Sequence, residues 1–215
     1  MARNKLIHNS GDKTRQLVVE GADDFHFLGH WLTDAGLLDN FCFQPAGNDK
    51  TVLTLFPVVL KQSEVKVVGI IIDADTDIQG RWDSIRQKLL KAGYPDESVP
   101  KRLPPRSFIC DGNSLPKFGA WIMPNNQDAG YFETFAKHLI DDRDGLWTTA
   151  VESVNAIPKE MVRFRPADRD KVCVHTWLAW QRDPGMPLGQ ALKAKLFNLD
   201  SGLGQEFQTW LASLL

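Results

Sequence analysis

Leu17-Val18-Val19-Glu20-Gly21-Ala22-Asp23-Asp24 is a short apolar run that stops at an acid, a glycine and two more acids. A second such event follows about fifty residues later, where Val67-Val68-Gly69-Ile70-Ile71-Ile72 runs into Asp73-Ala74-Asp75-Thr76-Asp77. Each apolar run has the length of a buried strand, and neither alternates with polar residues. Parallel strands covered on both faces read this way. Both therefore deliver carboxylates at their C-terminal ends, the edge at which open α/β sheets bind ligands. Clustered carboxylates repel one another, and a hard divalent cation with oxygen ligands relieves that repulsion. A magnesium site, and with it phosphate chemistry, is the first expectation.

The flanking pattern places these runs in a layered fold. Thr14–Val19 reads as a strand. Phe25, Phe27, Leu28, Trp31 and Leu32 then recur at helical spacing, with Asp23 or Asp24 able to cap the helix and Gly36 to end it. Asn40–Gln44 reads as a strand. A helix capped by Thr51 runs to about Gln62, with Pro57 implying a kink or a late start. Val65–Ile72 is the third strand, and Ile78–Ala92 an amphipathic helix stopped by Gly93-Tyr94-Pro95. Ser107–Cys110 and Gly119–Met123 are two more strands, followed by a helix over Tyr131–Ile140. The order β-α-β-α-β-α-β-β-α predicts an α/β fold, a parallel-rich sheet with helices on both faces. After Asp141 only helices are expected, over Leu146–Ile157, Lys171–Gln181, Leu188–Phe197 and Gln205–Leu214. The division is thus an α/β domain over 1–145 and a helical extension over 146–215 packed on the same core.

The bulk numbers exclude several classes. The 215 residues suffice for a real core, and 43% hydrophobic content is that of a globular protein. No apolar run approaches the roughly 20 residues that span a bilayer. Met1-Ala2-Arg3-Asn4-Lys5 lacks the apolar core of a signal peptide. Cys42, Cys110 and Cys173 form no CxxC pair, which argues for a reduced cytoplasmic protein with three small buried thiols. No GxxxxGK[ST] loop is present, so the chain has no P-loop ATPase of its own. His26 and His30 stand at i, i+4, a spacing that can bind zinc, but no third ligand follows the same logic, and a packed or partly exposed pair is the reading preferred. His8, His138 and His175 are isolated.

A net charge of −2 gives no global argument for nucleic acid. Two segments are locally basic. Residues 81–106 hold Arg81, Arg86, Lys88, Lys91, Lys101, Arg102 and Arg106. Residues 159–171 hold Lys159, Arg163, Arg165, Arg169 and Lys171. They read either as solvated faces or as contacts to a phosphate backbone.

Val-Val-Glu-Gly-x-x-Asp at one strand end and Ile-Ile-Asp-x-Asp at another resemble the Toprim domain, found in topoisomerases, bacterial primases, ribosomal-RNA maturases and the overcoming-lysogenization-defect nucleases. The resemblance covers roughly residues 14–140. Trp121-Ile122-Met123-Pro124-Asn125-Asn126, Gly130-Tyr131-Phe132-Glu133 and Lys171–Ala179 look like a family of small prokaryotic Toprim-related proteins. The resemblance implies roles residue by residue. Glu20 matches the glutamate that serves as general acid/base or metal ligand. Asp24 matches the second acid of primases and related nucleases. Asp73 and Asp75 match the paired metal-binding aspartates, and Asp77 the third acid of topoisomerases. The glycine expected directly after that third acid is Ile78 here; the nearest is Gly80. Glu133 is a candidate extra ligand, and Lys171 a candidate for steadying negative charge at the reacting phosphate.

The expected function is a Mg²⁺- or Mn²⁺-dependent nuclease or related phosphoryl-transfer enzyme acting on DNA or RNA, alone or with an ATPase partner. The alternative is a non-catalytic module that binds nucleic acid or a protein. A small phosphatase is a weaker third. A topoisomerase is disfavoured, since only Tyr94 and Tyr131 could attack a strand and the chain is too short for gate domains.

Overall fold

A computed structural model describes residues 11–215. His8 and the N-terminal stretch weighed above as a targeting segment lie outside the described residues. Five strands and eight α-helices alternate in the expected order: β1 Arg15–Val19, α1 Ala22–Asp34, β2 Cys42–Pro45, α2 Asp49–Val59, β3 Val67–Asp73, α3 Ile78–Ala92, β4 Phe108–Gly112, β5 Leu115–Met123 and α4 Phe132–Lys137. Then come α5 Gly145–Asn155, α6 Arg169–Ala179, α7 Leu188–Lys193 and α8 Gly202–Ser213. The protein is an α/β fold with a C-terminal helical region. None of its helices is long and apolar enough to cross a membrane among the described residues.

The sheet order is β2-β1-β3-β5-β4. All pairings are parallel except β4 with β5, which forms an antiparallel edge. Because side chains alternate, each strand feeds two cores. Leu17, Val19, Ile71, Trp121 and Met123 pack with α1 and with helices α4 to α8, whereas Val18, Val68, Ile70, Ile72, Phe118, Ala120 and Ile122 pack with α2 and α3. The helical tail therefore shares one core with α1. Its last helix is seated by two glycines paired in register across neighbouring strands, Gly69 on β3 and Gly119 on β5. A Cβ at Gly119 would stand 2.6 Å from Leu214 Cδ2 and 3.2 Å from Trp210 Nε1; one at Gly69 would stand 2.9 Å from Leu214 Cδ1.

Some boundaries differ from the sequence reading. Helix α2 is capped by Asn48, not Thr51: the side-chain Oδ1 of Asn48 accepts from the Thr51 N–H at 2.9 Å. Pro57 sits inside α2, close to its end, as a tolerated late-turn residue. Strand β5 starts at Leu115 because its first residues pair with β4 and with Val67. Helix α4 stops at Lys137, since the backbone bonds beyond it are turn-like, from His138 N–H to Phe135 and from Leu139 N–H to Ala136.

This topology places the site. From β1 the chain moves outward to β2, then crosses back over β1 to β3. Helix α1 lies on one face while α2 and α3 lie on the other. The connections thus part between β1 and β3, which opens a crevice at the carboxyl ends of these two strands. Glu20 follows β1 directly, and Asp73 ends β3.

Candidate functional site

Glu20 and Asp73 meet at the crevice. Glu20 Oε2 accepts the Asp73 backbone N–H at 3.3 Å. Asp73 has the parity of Ile71 and so faces the layer of α1 and α4. From that layer come Asp24, in the first turn of α1, and Glu133, in the first turn of α4. On the Glu20 side, Asp49 opens α2. The N-termini of α1, α2 and α3 all face this edge, and their positive dipole ends make it tolerable for so many acids.

Each acid has a different local partner. Asp24 Oδ2 reaches back to accept the Gly21 N–H at 2.5 Å, so this acid closes the start of α1 while facing the cluster. Asp75, in the left-handed region at φ 55°, is paired with Arg81 of α3, and the same guanidinium holds Asp49 Oδ2 at 2.9 Å. Asp77 is the N-cap of α3, accepting from Gly80 N–H at 2.9 Å. A Cβ at Gly80 would stand 2.4 Å from Asp77 Oδ2, so the cap in this geometry needs a glycine at that position. Glu133 is buried and accepts Lys171 Nζ at 2.7 Å, with His175 Nε2 3.6 Å away, both from α6. Asp73 alone has neither a hydrogen-bond donor nor a paired cation on its carboxylate among the described residues.

Protonation follows these surroundings. Burial, then the charges of Glu20, Asp24, Glu133 and Asp75, push the Asp73 carboxyl up to about 9. Burial also raises Asp24, to about 6, with Glu133 and Asp23 adding to it against the Gly21 N–H. Burial raises Glu20 as well, and Asp24, Asp49 and Asp75 act in the same direction against the Asp73 N–H. Glu133 goes the other way. Its burial opposes ionisation, but His175 and Lys171 beside the carboxylate outweigh that and hold it at about 2. At neutral pH the cluster keeps a proton on Asp73, because burial and the four neighbouring acids outweigh the more distant charge of Lys171.

Across residues 14–215 the sequence matches the model of a family described as "Protein of unknown function (DUF3226)". The chain belongs to the DUF3226 family. No curated protein and no solved structure matches it.

The acid edge of this DUF3226 protein suits a hard cation by its donor chemistry. The facing groups are all carboxylate oxygens, and among the described residues the Asp73 carboxylate has neither an ion pair nor a hydrogen-bond donor. Among the described residues no group of three or more His, Cys, Asp or Glu side chains is arranged so as to hold a metal ion. Magnesium does not need one; it keeps several waters and takes one or two carboxylates plus substrate phosphate oxygens. Glu20 and Asp73 bring two carboxylates together at the ends of adjacent strands. Asp24 stands next to them, Asp75 is held off by Arg81, Glu133 by Lys171, and Asp77 is spent on the helix cap. Three groups were not singled out in the sequence as parts of the site: Asp49, Arg81 and His175. Asp49 reads as an ordinary helix-start acid and Arg81 as one basic residue among seven, so only the fold connects them. The i, i+4 spacing of Lys171 and His175 on one helix was the one available signal.

Proposed function

We propose that this protein is a Mg²⁺- or Mn²⁺-dependent phosphodiesterase acting on DNA or RNA, built on a Toprim-like acid edge. The observation that carries this reading is Asp73: a half-buried carboxyl at the β1/β3 crevice, surrounded by four acids and compensated by no donor. Glu20 and Asp73 would hold the ion, with Asp24 beside them. The ion, when bound, would supply charge neutralisation at the phosphate and a more acidic water. Asp24, held near neutrality by burial, is placed to exchange a proton at this edge, while Lys171 brings positive charge to within range of Asp73. Three buried free cysteines fit a reducing, cytoplasmic setting. A separate ATPase as partner is consistent with the absence of a phosphate-binding loop in the sequence.

The second reading, a non-catalytic module that binds nucleic acid or a protein, draws on Arg81. It occupies Asp75, and so replaces in part the cation that the Asp-x-Asp pair would otherwise share. Incubating the purified protein with single- and double-stranded DNA and RNA, with Mg²⁺, with Mn²⁺ and with EDTA, tests the choice. Metal-dependent cleavage lost in Glu20→Gln and Asp73→Asn supports the phosphodiesterase. Undiminished cleavage in both variants removes it, and metal-independent binding without cleavage favours the second reading.

A further inference from the structure

The segment joining α5 to α6 borders the acid edge and has an unusual surface. Met161 is 65% exposed and Val162 37%, two of the few large apolar side chains left open to solvent, and Phe164 is half-buried beside them. Between and after them stand Arg163 and Arg165, both exposed. Arg163 has no hydrogen bond or ion pair among the described residues. Arg165 makes a two-pronged bond to Asp168 at 2.7 Å and also interacts with Tyr131, which immediately precedes α4. Two residues further along α4, Glu133 binds Lys171 of α6. The segment is thereby tied at its C-terminal end to the same helix starts that carry Glu133, and Lys171 links it to Asp73 through its charge. Prolines at 158 and 166 bound it and restrict its backbone.

Cations interleaved with exposed apolar side chains match single-stranded nucleic acid better than duplex. A duplex offers phosphates outside and hides its base faces, so apolar groups gain nothing there. A single strand offers both, and aromatic or apolar groups contribute by contact with unstacked bases while Arg and Lys follow the phosphates. We propose that the α5–α6 segment and the start of α6 form the surface that holds a single-stranded nucleic acid against the acid edge, with Arg163, Arg165 and Lys171 on phosphates and Met161 and Phe164 against bases. This rests on the phosphodiesterase reading, and its failure is separable from that reading's failure because binding is measured without turnover.

The test is fluorescence anisotropy of a labelled mixed-sequence oligonucleotide, as DNA and as RNA, single-stranded and annealed, with the full-length protein in EDTA. The expected result is tighter binding of a single strand than of the duplex, with log affinity falling linearly in log salt. Arg163→Ala should weaken it about tenfold at moderate salt and lower the salt slope by about one. Phe164→Ala should weaken the single strand and leave the duplex unchanged. Arg163 has no partner to lose, so its variant keeps the native fold, checked by thermal melting. Duplex bound as tightly as single strand, no binding by the wild type, or wild-type affinity in both variants overturns the proposal. If the wild type still cleaves nucleic acid in the metal assay in any of those cases, the phosphodiesterase reading stands and only the surface is wrong.

Discussion

Glu20 and Asp73 lie 53 residues apart in sequence and meet through a single hydrogen bond, Asp73 N–H to Glu20 Oε2, at the ends of adjacent parallel strands. The bond fixes the glutamate beside a carboxyl that burial and four acids keep protonated. If the proposed cation binds here, it displaces that proton. That carboxyl also makes the metal-free protein sensitive to pH.

Two groups set that sensitivity in opposite directions. Asp73 is raised from 3.8 to about 9, so the folded state holds a proton that the unfolded chain loses. Its contribution to stability is complete below 3.8 and declines as pH rises toward 9. Glu133 is lowered from 4.5 to about 2, so its contribution is complete above 4.5 and declines as pH falls toward 2. Thermal melting in EDTA should show highest stability at about pH 4 and a fall toward pH 9. Asp73→Asn should flatten the alkaline side and raise the melting temperature at pH 8. An unchanged alkaline limb in that variant would show that Asp73 titrates normally.

Arg81 ties Asp49 of α2 to Asp75 of the β3–α3 turn while only 10% of its side chain is exposed. Removing it leaves two partly shielded acids facing Glu20. Arg81→Ala should cost about 1–3 kcal/mol in urea unfolding without metal, less than for a fully buried pair because both acids keep some solvent. Saturating Mg²⁺ should recover part of that loss, since Asp75 is then free to approach the ion. A loss of equal size with and without Mg²⁺ would separate Arg81 from the site.

The seat of α8 is testable by overpacking and relief. Gly119→Ala places a methyl group against Leu214 and should cost about 1–3 kcal/mol. Leu214→Ala, which opens a void, should cost about 2–5 kcal/mol. In the double variant the new methyl group enters that void, so the combined loss should be smaller than the two single losses added. Additive losses in chemical denaturation would mean that the glycine and the leucine do not share this space.

Much of this architecture was readable from residue order. Unbroken apolar runs at 17–19 and 67–72 mark strands buried on both faces, and the helix over Ile78–Ala92 starts and stops where Asp77 and Gly93 can cap it. The convergence of Glu20 and Asp73 follows from their strand-end positions and the parallel rule. What was not readable depends on side chains crossing between elements. Nothing in the order of residues says that Arg81 spans Asp49 and Asp75, or that Lys171 reaches across to Glu133 from a helix 38 positions later in the sequence. Asn48 and Thr51 are both good capping residues, and only backbone geometry selects Asn48 as the cap of α2.

The central claim is that Glu20 and Asp73 together take up a divalent cation in exchange for a proton. Isothermal titration calorimetry of MgCl₂ into the purified protein at pH 7, run in two buffers of different ionisation enthalpy, measures both events at once. The account predicts saturable binding whose heat differs between the buffers, as proton release requires, and no binding in Asp73→Asn. Binding of equal strength in Asp73→Asn, or none in the wild type at millimolar Mg²⁺, would contradict it.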